Sequence, residues 1–203
     1  MSAARRSKYD AAYYRRYYLD PRTRVLAPAE RRRRVAAVVA LAERFLERPL
    51  ATVLDIGCGV GLWGREILRL RPRVVWTGVE PSAAARRAAV VKRPILAGSF
   101  ADLERLVGRR KVDLVLCVDV LHYLPAATIA RGLPALARRT GGLACLEVLT
   151  SADEVEGDLA GFRRRSPAWY RRRFAAAGLV ACGAHCYLGE GVRDTAAALE
   201  RFD

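Results

Sequence analysis

The stretch Val53-Leu54-Asp55-Ile56-Gly57-Cys58-Gly59-Val60-Gly61 constrains this chain more than any other. A short apolar run of strand length ends in three alternate glycines and passes at once into 62–70, which suits a helix. Glycines at that spacing let the backbone turn sharply and leave room for a ligand above the helix N-terminus. A strand that must turn directly into a helix belongs to an α/β sheet.

The rest of the chain repeats the alternation. Apolar strand-length runs are predicted at 53–56, 74–79, 95–97, 112–118, 143–149 and 180–188, with a last one at 195–202 that also reads as helix. Helices are predicted at 29–48, 62–70, 82–90, 101–107, 125–139 (with a break at Pro134) and 167–177, the last closed by Gly178. Such alternation means a doubly wound, mostly parallel sheet with helices on both faces, and ligands beyond the carboxyl ends of its strands. In the helix 29–48, Val35, Val38, Val39, Ala42, Phe45 and Leu46 make the apolar stripe, and Arg31 to Arg34 are read as a solvated first turn. Two segments fall outside the sheet: 1–28, with Tyr9, Tyr13, Tyr14, Tyr17 and Tyr18 at helical spacing, and 151–173. The expected organisation is therefore a Tyr/Arg-rich helical lid, 1–28, on one Rossmann-like domain, 29–203.

With 203 residues, 52% of them hydrophobic and 28% charged, the chain can bury a full core, which excludes disorder as its main state. No apolar run approaches the ~20 residues of a membrane span, and no secretory leader is evident, so a cytoplasmic protein is expected. Five cysteines, an odd number set mostly in apolar runs, are expected as buried free thiols. Cys182, His185 and Cys186 match no zinc spacing, so no metal is expected and His185 is assigned to a strand as a structural residue.

The net charge of +15 is unevenly placed. Residues 1–34 hold eleven basic and three acidic side chains, and 163–173 hold six arginines and no acid. Those two stretches suit an anionic partner, either RNA or an acidic small molecule, or else form a solvated face.

The glycine loop also fits Gly-x-Gly-x-x-Gly over 59–64, with Glu80 about twenty residues on, so an NAD(P)-dependent oxidoreductase is the competing reading. Asp55 argues against it, because a carboxylate at the strand tip repels a pyrophosphate and favours a ligand bearing an ammonium. Asp55-Ile56-Gly57-Cys58-Gly59-Val60-Gly61, Thr77-Gly78-Val79-Glu80-Pro81 and Asp113 to Pro125 together resemble the class I S-adenosylmethionine-dependent methyltransferases. The resemblance covers about residues 30–203 and implies a seven-stranded sheet with the last strand inserted antiparallel.

It also implies roles for matched positions. Asp55, Gly57 and Gly59 surround the methionine part of the cofactor, and the backbone of Val118 receives its ammonium. Glu80 accepts both ribose hydroxyls, Pro81 and Ser82 line the adenine, and Ser99 and Phe100 lie on its other side. At the mouth stand Asp119, His122 and Tyr123. His122 is either a general base or a packing residue, and Asp119 either orients the acceptor or satisfies its loop. Tyr13, Tyr14, Tyr17 and Tyr18 either form an aromatic lid or simply dock on the core. The expected acceptor is an oxygen or nitrogen of a small, anionic molecule, with RNA as the alternative, and the oligomeric state is left open.

Overall fold

The computed structural model describes residues 9–155 and 159–195. The chain enters through α1 (Ala11–Tyr14), capped by the Asp10 carboxylate accepting the Tyr13 N–H, and continues as a π-helical turn over Arg15–Leu19. Then come α2 (Pro28–Leu46), β1 (Thr52–Ile56), α3 (Leu62–Leu70), β2 (Val75–Glu80), α4 (Ala83–Arg87), β3 (Ile95–Ala97), α5 (Leu103–Leu106), β4 (Val112–Leu116), α6 (Ala126–Arg139), β5 (Thr140–Cys145), α7 (Pro167–Ala176), β6 (Val180–Gly183) and β7 (Cys186–Leu188).

Pro28 opens α2 with its fixed φ, and Glu47 in the left-handed region closes it ahead of Pro49. Ser166 caps α7 by accepting the Trp169 N–H, and Gly178, at φ +82°, follows its last turn as expected.

The seven strands run in the order β3-β2-β1-β4-β5-β7-β6. The first five are parallel, and β7 lies antiparallel between β5 and β6. This is the α/β doubly wound sheet with an inserted antiparallel strand. Asp113 fixes the register of β1: its carboxylate accepts the N–H groups of Ala51 and Thr52 and the Arg48 guanidinium.

Side-chain alternation divides the core. Leu54 and Ile56 pack with Val115, Leu136 and Phe174 under α6 and α7, while Val53 packs with Val35, Val39 and Ile67 under α2 and α3. A third, smaller cluster of Tyr14, Val60, Leu62 and Ala85 docks the N-terminal segment onto the glycine loop and α4.

Several expectations need correction. The run 180–188 is not one strand but the hairpin β6–β7, turned at Ala184 and His185, both at positive φ. Two consecutive left-handed residues suit the twist of a two-residue hairpin, which periodicity alone does not reveal. His185 is therefore exposed at a hairpin tip rather than placed in a strand. α6 passes through Pro134 without a break. Arg31 is buried rather than solvated. The last expected strand, 195–202, lies outside the described residues apart from Thr195, which ends a 3₁₀ turn.

Candidate functional site

β1, β2 and β4 end at one opening, where a cavity of about 240 Å³ is enclosed. β1 has β2 on one side and β4 on the other, so the opening lies at the switch point where this sheet class places its ligands. Of the residues singled out in the sequence, Asp55, Gly57, Gly59, Glu80, Pro81, Ser99, Phe100 and Val118 line this cavity. Asp119, His122, Tyr123, Tyr13, Tyr14, Tyr17 and Tyr18 line it as well.

Ser82 does not. Its hydroxyl accepts the Ala85 N–H to cap α4 and donates to the Tyr9 carbonyl at 2.7 Å, so it ties the N-terminal segment to α4.

The glycine loop wraps Glu80. One carboxylate oxygen accepts the Gly59 N–H at 2.9 Å, and the other accepts the Ser82 N–H at 2.8 Å and the Tyr14 hydroxyl at 3.3 Å. Burial still outweighs those donors and raises the Glu80 pKa. Gly57 sits at φ +69°, and a Cβ there would lie 2.4 Å from Val120 Cγ2. At Gly59 a Cβ would lie 3.3 Å from the Tyr14 ring. Both positions thus need the absence of a side chain.

Asp55 is 4% exposed, and its Oδ2 has no hydrogen-bond partner. Burial pushes its carboxyl up to about 7. The Trp76 indole eases that shift without completing a hydrogen bond, since its own N–H is also unpaired.

Asp119 occupies a left-handed backbone position, φ +57°, and its N–H donates to the Glu147 carbonyl. Burial, then the Glu147 carboxylate, push its carboxyl up to about 6.

His122 is 1% exposed. Its Nδ1 accepts the Leu149 N–H at 3.2 Å, and its ring lies 4.3 Å from that of Tyr123 and 5.4 Å from that of Phe162. Burial, then Arg165, lower its pKa to about 4. With Nδ1 accepting, the neutral ring carries its proton on Nε2, so toward the cavity it offers a donor rather than a base.

Ser99 donates its N–H and hydroxyl to Asp102, closing a capping box that keeps the Asp102 carboxylate on its own helix end.

Sequence reasoning missed Arg31. It lines the cavity, is 4% exposed, has an unpaired Nε, and stands 3.8 Å from Glu66. The signal was present, since Arg31 lies one helical turn before Val35 on the apolar stripe, but a run of four arginines hid it. None of the arginines of 163–173 lines the cavity. Arg165 donates to the Leu121 and Leu124 carbonyls and lies over the Trp169 ring, which Arg173 also covers at 3.5 Å.

A methyltransferase-domain family matches residues 54–141. A trans-aconitate 2-methyltransferase of Azoarcus sp. (strain BH72) is 32% identical over 134 residues, covering 64% of this chain and 51% of that protein. The chain spans about half the length of the curated relatives it matches.

Among solved structures, the fold is similar to the sugar N-methyltransferase KedS8 from Streptoalloteichus sp. ATCC 53650, with a TM-score of 0.63 at 22% identity over 93% of this chain and 94% of that one. It is also similar to DesVI of Streptomyces venezuelae, with a TM-score of 0.64 at 15% identity over 78% and 91%. Over residues 54–141 the chain carries a methyltransferase domain, and its glycine loop and fold are similar to those of the class I S-adenosylmethionine-dependent methyltransferases.

Proposed function

We propose that this chain transfers a methyl group from S-adenosylmethionine to an oxygen or nitrogen of a small molecule. The observation that carries the reading is the pair Asp55 and Glu80, both buried at the ends of adjacent strands, with the glycine loop bonded to one of them and the other left with an unpaired oxygen. An orphaned buried carboxylate beside a cradle that any Cβ would fill suits a ligand with a cationic end and no phosphate.

When bound, the cofactor supplies a methyl group activated by a sulfonium, and the protein's task is to align, enclose and dry the site. Glu80 holds the ribose hydroxyls, and Asp55 with the Val118 backbone faces the methionine end. Arg31 offers an unpaired N–H for the cofactor carboxylate. Pro81, Ser99 and Phe100 flank the adenine.

Residues 1–28 act as the lid on the domain 29–203. Its tyrosines, whose rings pack at 4.9–5.6 Å, exclude water from the acceptor side. His122 keeps the 147–150 segment in place through the Leu149 N–H.

The trans-aconitate relatives support a small-molecule acceptor over RNA. Five unbridged cysteines support a cytoplasmic location. Among the described residues no helix is long and apolar enough to cross a membrane.

Calorimetric titration tests the reading. S-adenosylmethionine and S-adenosylhomocysteine are expected to bind one per chain. Glu80→Ala is expected to weaken both by about 1.5–3 kcal/mol, roughly ten- to a hundredfold, through loss of a charged hydrogen-bond acceptor. Saturable NAD binding with no heat from either adenosyl compound overturns it in favour of a dehydrogenase.

A further inference from the structure

Once Asp55 and Glu80 are assigned to the cofactor, one carboxylate in the cavity is left over. Asp119 follows β4 on the side of the cavity where the tyrosine segment closes it. None of the described residues donates a hydrogen bond to its carboxylate.

The neighbouring charges do not neutralise it. Arg34, the nearest cation to act on it, is spent on Glu147 at 2.6 Å and on Glu30 at 3.0 Å. Arg31, the one cation among the described lining residues, stands opposite Glu66. His122 is neutral. The Asp119 backbone is held in a left-handed conformation that costs an ordinary side chain about 1–2 kcal/mol.

The groups around Asp119 are aromatic. The Asp119 carboxylate is close enough to Tyr18 to help raise the pKa of its hydroxyl, and Tyr123 acts on the same hydroxyl. Tyr13 packs against Tyr18 at 6.1 Å, and Tyr14 at 5.6 Å. A carboxylate without a partner, walled by tyrosine faces, is the chemistry that recognises an alkylammonium.

Resting on the methyltransferase reading above, we propose that Asp119 and the rings of Tyr18, Tyr13 and Tyr123 form a cation subsite, and that the methyl acceptor carries an ammonium group rather than a carboxylate. The absence of the 163–173 arginines from the cavity removes the cations that an anionic acceptor would need.

Tetramethylammonium and propane-1,2,3-tricarboxylate serve as probes, titrated calorimetrically into the whole protein alone and saturated with S-adenosylhomocysteine. Tetramethylammonium is expected to bind in both cases, and tricarboxylate in neither. Asp119→Asn, an isostere that also tolerates the left-handed backbone, is expected to weaken tetramethylammonium about tenfold or more and to change S-adenosylhomocysteine affinity less than about threefold. Thermal melting of the variant checks that it folds.

Three results overturn the proposal: no tetramethylammonium binding to either form, displacement of tetramethylammonium by S-adenosylhomocysteine, or equal binding by the folded variant. Displacement would assign Asp119 to the cofactor's own ammonium. Failure of S-adenosylhomocysteine to bind tells instead against the methyltransferase reading, and the ligand-free titration of wild type and variant still decides the subsite.

Discussion

Asp55 is a carboxylate that the fold holds dry, and its proton is bound more tightly in the folded chain than in the unfolded one. Its pKa moves from 3.8 to about 7, so its contribution to stability is full below about pH 4 and is lost as pH rises through 7. His122 acts in the opposite sense, but only below about pH 6.5, where the unfolded imidazole gains its proton. Between about pH 6.5 and 8 the His122 effect is absent, and Asp55 acts in the same sense as the other buried carboxyls raised by burial, Glu80 and Asp119. The ligand-free protein is expected to lose about 1 kcal/mol from Asp55 over that interval in urea denaturation. Asp55→Asn is expected to lessen the loss, to be the more stable protein at pH 8, and to bind S-adenosylmethionine more weakly. A wild-type profile that rises over the interval would contradict this. At this scale the sequence was informative where residue type and position were both unusual, as with an acid at the tip of an apolar strand. It was uninformative where a functional side chain sat among its own kind, as Arg31 does, because burial of one arginine in four depends on packing against α3 that no local pattern records.

Among the elements, the contact between α3 and β2 tolerates little change. Gly64 lies on α3 against Trp76, which is 1% exposed, and a Cβ at 64 would lie 2.4 Å from Trp76 Cε2. The indole is enclosed and cannot swing away, so Gly64→Ala is expected to destabilise the protein by about 1–3 kcal/mol. A lower urea midpoint at unchanged slope would show it, and an unchanged midpoint would mean that the sheet yields there. The sequence presented Gly64 only as the last glycine of a dinucleotide-type pattern, whereas in the structure the close approach of α3 to Trp76 is what requires it. The apolar runs located β1 to β5 to within a few residues, but periodicity could not divide 180–188. The turn there uses Ala184 and His185 at positive φ rather than the Asn-Gly that announces a hairpin. Pro134 likewise misled, because a helix packed on a sheet can absorb one missing N–H that an isolated helix could not.

For the whole molecule, the parallel sheet and the cavity position followed from the alternation of elements and the antiparallel insertion from the family resemblance, whereas the destination of the +15 charge did not. Arg165 and Arg173 are drawn inward onto carbonyls and the Trp169 ring, which leaves Arg163, Arg164, Arg171 and Arg172 as the exposed arginines of that segment. So few cations bind a polyanion weakly and lose it to salt, with a log–log slope of about −0.7 for each single-strand phosphate contacted. Fluorescence anisotropy with generic RNA is expected to show binding that vanishes near physiological salt. Tight binding that survives there and is lost on replacing Arg171 to Arg173 would make RNA the acceptor. The Tyr14 hydroxyl, meanwhile, rests on the carboxylate assigned to the ribose, so the two ends of the cavity share one fastening. Filling either end changes the free energy of closing the other by the same amount. On the proposed reading the ribose and Tyr14 compete for Glu80, so filling the Glu80 end is expected to loosen the aromatic wall, and closing the wall to weaken the cofactor. An acceptor that settles the wall is then expected, in excess, to compete with the very cofactor it requires.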